Sequence, residues 1–296
     1  MAEEDGQGTP KTSKKAKREP LRRPRGKRGG IKNRKDKSST SAKVTGEKPT
    51  KAKTTAMHAT QIALFHTLEK KLAQTQDEKE RAVILQQQEA LGGLQAYQDA
   101  SLFGGDKQRG GETGKWCAQQ LMEIRGKEKL RLLDVGALSG TAYDKYDWID
   151  TISIDINPRN DHVLRYDFFD YPTPTKSNGE NFDVVALSLV VNFVGDLADR
   201  GRMLLHAHKY LPDDKRGLLF LVLPLACVQN SRYCDHARLR AILASCGWGN
   251  VVRQHDSARL THWLCEETSK KWDGKVWKKE EIKKGVSLNN FCIIVR

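Results

Sequence analysis

No apolar run in the 296 residues approaches the ~20 needed to cross a bilayer. The stretch from Met1 to Pro10 also lacks the apolar centre of a secretory signal. Both absences argue against a membrane or secreted protein. The six cysteines, Cys117, Cys227, Cys234, Cys246, Cys265 and Cys292, never come within CxxC spacing, and no paired histidines accompany them. A disulfide framework or a zinc site needs closer ligands, so these are read as reduced, mostly buried thiols, with no metal site. Residues 1–56 contain no aromatic residue and only scattered aliphatics. Such a segment cannot bury enough apolar surface to offset its ordering entropy, and is expected to be disordered.

The chain does carry charge, unevenly. It holds 51 Lys+Arg against 37 Asp+Glu, a net charge of +14. Residues 1–56 account for 18 of those basic side chains and 6 of the acidic ones, or +12, so the other 240 residues are nearly neutral. Clusters such as Lys14-Lys15-Ala16-Lys17-Arg18 and Arg22-Arg23-Pro24-Arg25 suit nuclear or nucleolar import and phosphate contact. Residues 57–112 read as a helical extension. Ile62, Phe65, Leu68 and Leu72 recur at helical spacing, a second helix covers Asp77 to Leu91 and ends at Gly92-Gly93, and a third covers Leu94 to Leu102. None carries a catalytic constellation.

From residue 113 onward strands alternate with helices. Strands are expected at Leu130–Val135, Thr151–Asp155, Val163–Asp167, Phe182–Ser188, Gly217–Leu223 and Val251–Arg253, with Asn290–Val295 as a closing strand that enters antiparallel. Helices are expected at Trp116–Ile124, Asp196–Leu211 and Ala237–Ser245. This alternation argues an α/β fold with a doubly wound, mostly parallel sheet.

Ligands of such sheets bind beyond the carboxyl ends of the strands. Gly136, Asp134, Asp155, Asp167 and Ser188 collect there, and each suits a part of S-adenosylmethionine. Gly136 lets the backbone approach a ligand closely. Asp155, ending the second strand, is placed to accept ribose hydroxyls, and Asp134 to face the methionine ammonium. Asp167 is placed to accept the adenine amine while Phe168 covers the ring. The loop Gly136-Ala137-Leu138-Ser139-Gly140 lacks GxGxxG, so there is no sign of a pyrophosphate seat, and an acidic rim suits a sulfonium better than a dinucleotide.

The segments LLDVGALSG, ISIDIN, YDFFDYP, FDVVALSLVVNFVGDLADRGRML, LFLVLPLACVQNSRY and NNFCIIV resemble a fungal family that methylates N1 of an adenine in large-subunit (25S) ribosomal RNA. The resemblance spans residues 57–296 and excludes the basic tail. It implies a seven-stranded Rossmann-like class I methyltransferase domain over 113–296. It also implies cofactor positions at Gly136 and Asp155, ribosomal RNA or a pre-60S particle as partner, and the nucleus, specifically the nucleolus, as compartment. The oligomeric state is not legible.

The exit of the fourth strand, Ser188-Leu189-Val190-Val191-Asn192-Phe193, is not the [DN]PP[YF] loop of enzymes that methylate an exocyclic amine. Adenine N1 has an in-plane lone pair and no proton to remove, so no general base is required. Alignment and exclusion of water carry the reaction, worth up to roughly 7–11 kcal/mol. Asn192 and Ser188 are the expected cleft contacts, with Phe193 in the core. Arg232 and Tyr233, past the fifth strand, are placed to pair phosphate and stack a base. The stretch from Lys270 to Lys279 interleaves cations with aromatics, but nearby acids nearly cancel it. Two other readings stand beside the enzyme: a non-catalytic S-adenosylmethionine-binding sensor or adaptor on the same fold, and a methyltransferase acting on a basic ribosomal protein.

Overall fold

The apolar runs become the inner strands of one seven-stranded sheet. The computed structural model describes residues 113–296 apart from 175–180 and 214–216, residues 75–93, scattered positions between 60 and 72, and Ala96. These residues fall within one compact unit, 49–296. The strands are β1 (Leu130–Val135), β2 (Ile149–Asp155), β3 (Leu164–Arg165), β4 (Val184–Ser188), β5 (Leu218–Pro224), β6 (Asn250–Asp256) and β7 (Leu260–Glu266). Their order is β3-β2-β1-β4-β5-β7-β6, with β7 antiparallel to both neighbours and every other pairing parallel. This is the Rossmann-like sheet that the resemblance implied. The helices are α1 (Glu78–Ala90), α2 (Thr113–Arg125), α3 (Leu197–His206), α4 (Ala226–Gln229) and α5 (His236–Ser245). A 3-10 turn, Ala207–Tyr210, continues α3.

Parallel strands covered on both faces must bury successive residues on alternate sides. Leu133 and Val135 of β1 accordingly pack with Met203 and Leu204 of α3 and Leu239 and Ile242 of α5. Leu130 and Leu132 turn the other way, onto Cys117, Ala118 and Leu121 of α2. The β1–β2 crossover, 136–148, contains no helix; Tyr143 and Trp148 from it pack with α2 instead. The helix preceding β1 thus covers the face that a crossover helix normally fills. On the extension, Asp77 caps α1 by accepting from the Lys79 and Glu80 amides. Of the helix expected at 94–102, Ala96 alone is among the described residues, and it is helical.

Three strand expectations need correction. The third strand is only two residues long, because it forms the sheet edge and pairs on one side. The antiparallel strand is Leu260–Glu266, which the sequence reading left unassigned. Residues 290–295 form no strand: apart from an isolated bridge between Val295 and Trp277, their apolar side chains enter the core without a ladder. The Ile294 N–H donates instead to the Leu197 carbonyl of α3 (2.9 Å).

Candidate functional site

Strands β1 and β4 are neighbours, yet the chain leaves β1 toward β2 on one side and β4 toward β5 on the other. This is the topological switch point, where open α/β sheets bind ligands. Among the described residues only two non-glycines have positive φ: Leu138 (42°), after β1, and Leu189 (60°), after β4. Each such position costs on the order of 1–3 kcal/mol, and strain of this kind gathers at functional sites. Gly136 (φ 71°) opens the first loop. That φ favours glycine, and a Cβ there would also come within 3.0 Å of Val190 Cγ2 in the loop after β4.

Asp155 ends β2 and is 6% exposed. Its Oδ2 accepts the Leu138 amide (3.3 Å) and its Oδ1 the Asn157 amide (2.7 Å), so it stitches together the loops after β1 and β2. A carboxylate has about four acceptor sites, which leaves capacity for hydroxyls. Asp134, at the end of β1, is 5% exposed. Burial first, and the nearby Asp155 charge second, push its carboxyl up to about 7. A cationic ligand would relieve both.

At the β4 exit, Ser188 Oγ donates to Thr113 Oγ1 (2.9 Å), which ties that strand end to the first residue of α2. Asn192 is half-buried, and its Oδ1 is sealed from solvent with no hydrogen-bond partner. Buried acceptors are rarely left so; a ligand carrying an N–H donor would satisfy it. Nucleophilic thiol chemistry has no place here. All six cysteines are buried, and burial pushes Cys234, Cys246 and Cys265 to about 12. Among the described residues no cluster of His, Cys, Asp and Glu is suited to a metal ion.

The model of a family described as 25S rRNA (adenine(2142)-N(1))-methyltransferase, Bmt2, matches residues 82–293. The chain belongs to this family. Its Saccharomyces cerevisiae relative, the 25S rRNA (adenine(2142)-N(1))-methyltransferase, is 33% identical over 247 residues, 79% of this chain and 71% of that protein. A Schizosaccharomyces pombe relative, 25S rRNA adenine-N(1) methyltransferase, is 30% identical over 213 residues, 68% of this chain and 76% of that one. Among solved structures, the Burkholderia thailandensis 1,6-didemethyltoxoflavin-N1-methyltransferase superposes with a TM-score of 0.41 at 11% identity, covering 53% of this chain and 78% of that one. That likeness is too distant to assign residues.

In this member of the Bmt2 family, the remaining expected site residues divide. Asp167 is exposed, and its Oδ1 accepts the Phe169 amide (2.8 Å). Phe168 is not brought to the crevice. It is 5% exposed and stacks on Tyr210 (5.4 Å between centroids), held within the core. Arg232 is not available for phosphate: it donates to the carbonyls of Leu288 and Gly285 (2.8 Å each) and to Asn290 Oδ1 (2.7 Å). Tyr233 is half-buried, with the Lys279 ammonium 4.7 Å over its ring.

One residue escaped the sequence reading and another was misplaced by it. Ile156, directly after Asp155, is 60% exposed, an apolar surface beside the end of β2. Phe193, expected in the core, is half-buried and belongs to neither core cluster. Only its adjacency to Asn192 in SLVVNF offered a signal.

Proposed function

We propose that the chain transfers a methyl group from S-adenosylmethionine to N1 of an adenine in 25S ribosomal RNA. Membership of the Bmt2 family over residues 82–293 carries this reading. The crevice supports it, because its groups fit the cofactor's parts. Asp155 retains acceptor capacity for the ribose hydroxyls, the buried Asp134 carboxyl offers a cation a counter-charge, and exposed Ile156 offers an apolar surface to the adenine. When bound, S-adenosylmethionine supplies an electrophilic methyl on a sulfonium.

The chain's own residues then hold the acceptor. Adenine N1 lies on the pairing edge, so the base must be unstacked or taken from an open loop. Phe193 provides a face to stack on, and Asn192 Oδ1 accepts from the exocyclic N6 amine. That contact orients N1, whose lone pair needs no base to free it. Ser188, already bound to Thr113, fixes the loop and moves no proton. The catalytic gain comes from alignment in a site that excludes water.

The substrate is processed within pre-60S particles in the nucleolus, a compartment that the basic segment 1–56 suits. N1 methylation blocks base pairing, so reverse transcription over 25S RNA stops at the modified adenine. A stop present with the chain and lost on its deletion is expected. An unchanged stop pattern, with purified protein inactive on large-subunit RNA, would refute the assignment.

A further inference from the structure

Residues 275–295 run almost without regular structure, yet arginines from the body hold them by their carbonyl groups. Arg238 donates to the Lys278 carbonyl (2.8 Å), Arg232 to those of Gly285 and Leu288 (2.8 Å each), and Arg200 to that of Cys292 (2.8 Å). The Arg232 carbonyl in turn accepts the amides of Ile282 (2.7 Å) and Lys283 (3.1 Å). Asn289 adds two contacts, donating from its amide to the Asn230 carbonyl (2.8 Å) and from Nδ2 to the Ala226 carbonyl (2.7 Å). The arm is therefore fixed over residues 226–232, beyond the carboxyl end of β5. Strand β5 pairs with β4 at Val222 and Ser188, so the arm stands one strand away from the β4 exit.

The arginines spend their donors inward, and lysines remain outside. Between 275 and 284 there are five lysines, at 275, 278, 279, 283 and 284, against two glutamates, Glu280 and Glu281. Arg238 binds Glu280 (3.0 Å), which removes one of those two charges from the balance. Lys275, Lys278, Lys279 and Lys284 are exposed. A backbone held in place with exposed lysines along it matches a run of phosphates, since it loses little freedom on binding and gains counterion release.

We infer that the arm 275–286 is the docking rim for the RNA backbone flanking the target adenine. The inference rests on the RNA-methyltransferase reading and replaces Arg232 as the expected phosphate contact: Arg232 positions the arm, and its lysines bind.

The test uses the full chain and its Lys278→Gln/Lys279→Gln/Lys284→Gln form, with a labelled single-stranded RNA spanning the modified region as probe. Losing three phosphate contacts should make the slope of log K against log salt shallower by about 2. Affinity should fall at least tenfold at moderate salt, with S-adenosylmethionine affinity and thermal midpoint unchanged. An unchanged slope in the folded variant overturns the rim. So does unchanged binding of naked RNA with lost binding of a protein-containing pre-ribosomal particle, which would make the arm a protein-docking surface. Absence of S-adenosylmethionine binding in the unmodified chain would be a separate failure, of the methyltransferase reading itself.

Discussion

Arg200 donates from Nη1 to the carbonyl oxygen of Cys292 at 2.8 Å, joining residues 92 positions apart. Its Nε donates to the Val194 carbonyl (2.8 Å), within the loop that follows β4. The side chain is fully buried, with the guanidinium over the Phe291 ring and Nη2 unpartnered. One cation thus couples the loop bearing Asn192 to the C-terminal arm. Gly201, next in sequence, has no room for a Cβ, which would collide with the Ile294 carbonyl oxygen.

Arg200→Met should therefore loosen both segments. It removes a costly buried charge but strands two carbonyls, at about 1–3 kcal/mol each. A net loss of about 1–4 kcal/mol is expected, with faster proteolysis of the arm and a larger fall in kcat than in cofactor affinity. Gly201→Ala should cost at least as much stability, by displacing the arm outright. Urea unfolding and limited proteolysis check both, and full arm protection in either variant would contradict the coupling.

Asn192 offers a sharper separation of stability from function. Its Oδ1 already lacks a partner, so Asn192→Ala forfeits no hydrogen bond from that atom and should leave the unfolding midpoint within about 1 kcal/mol of the parent. Turnover should nevertheless drop by roughly a hundredfold if that oxygen orients the base. A destabilised but active variant would mean that the amide serves the fold.

Sequence pattern revealed burial more faithfully than hydrogen bonding. Strands β1, β2, β4 and β5 were legible because internal parallel strands read as nearly continuous apolar runs. Asn290–Val295 gave the same signal for a different reason: Phe291, Ile293 and Val295 fill the core, while the backbone is paired by α3, Arg200 and Trp277. Strand β7 was hidden by Thr261 and His262, polar residues only 0% and 5% exposed. At the site, the acids at strand ends were visible. The structural duty of Arg232 was not, since its partners lie over fifty residues away. Left-handed Leu138 and Leu189 also left no trace, because leucine does not advertise positive φ.

Asp155 has two duties, and substitutions should separate them. Asp155→Ala leaves the amides of Leu138 and Asn157 without their acceptors and should both destabilise the chain, by about 1–3 kcal/mol, and abolish cofactor binding. Asp155→Asn keeps one acceptor oxygen and should recover part of the stability while cofactor affinity stays at least tenfold reduced. Calorimetric titration with S-adenosylhomocysteine beside a thermal melt distinguishes them. Wild-type affinity in Asp155→Asn would remove the carboxylate from the ribose site.

Asp134 is expected to make cofactor binding and stability respond to pH in opposite directions. Its folded value of about 7 lies well above the ordinary carboxyl value of about 3.9. Between those two values the folded chain keeps a proton that the unfolded chain has lost. The associated stability is fully present below about pH 4 and is lost as pH rises toward 7. Asp134→Asn should flatten that decline, matching the parent at pH 4 and exceeding it at pH 8. A methionine ammonium seated against Asp134 would call for the ionised form, so affinity should rise from pH 6 to 7. Below its raised folded value the free carboxyl holds a proton, so binding that ionises it should release protons in that range. Titrations in two buffers of different ionisation heat measure that release, and Asp134→Asn should eliminate it. Binding that liberates no proton and is flat between pH 6 and 7 would place the ammonium elsewhere.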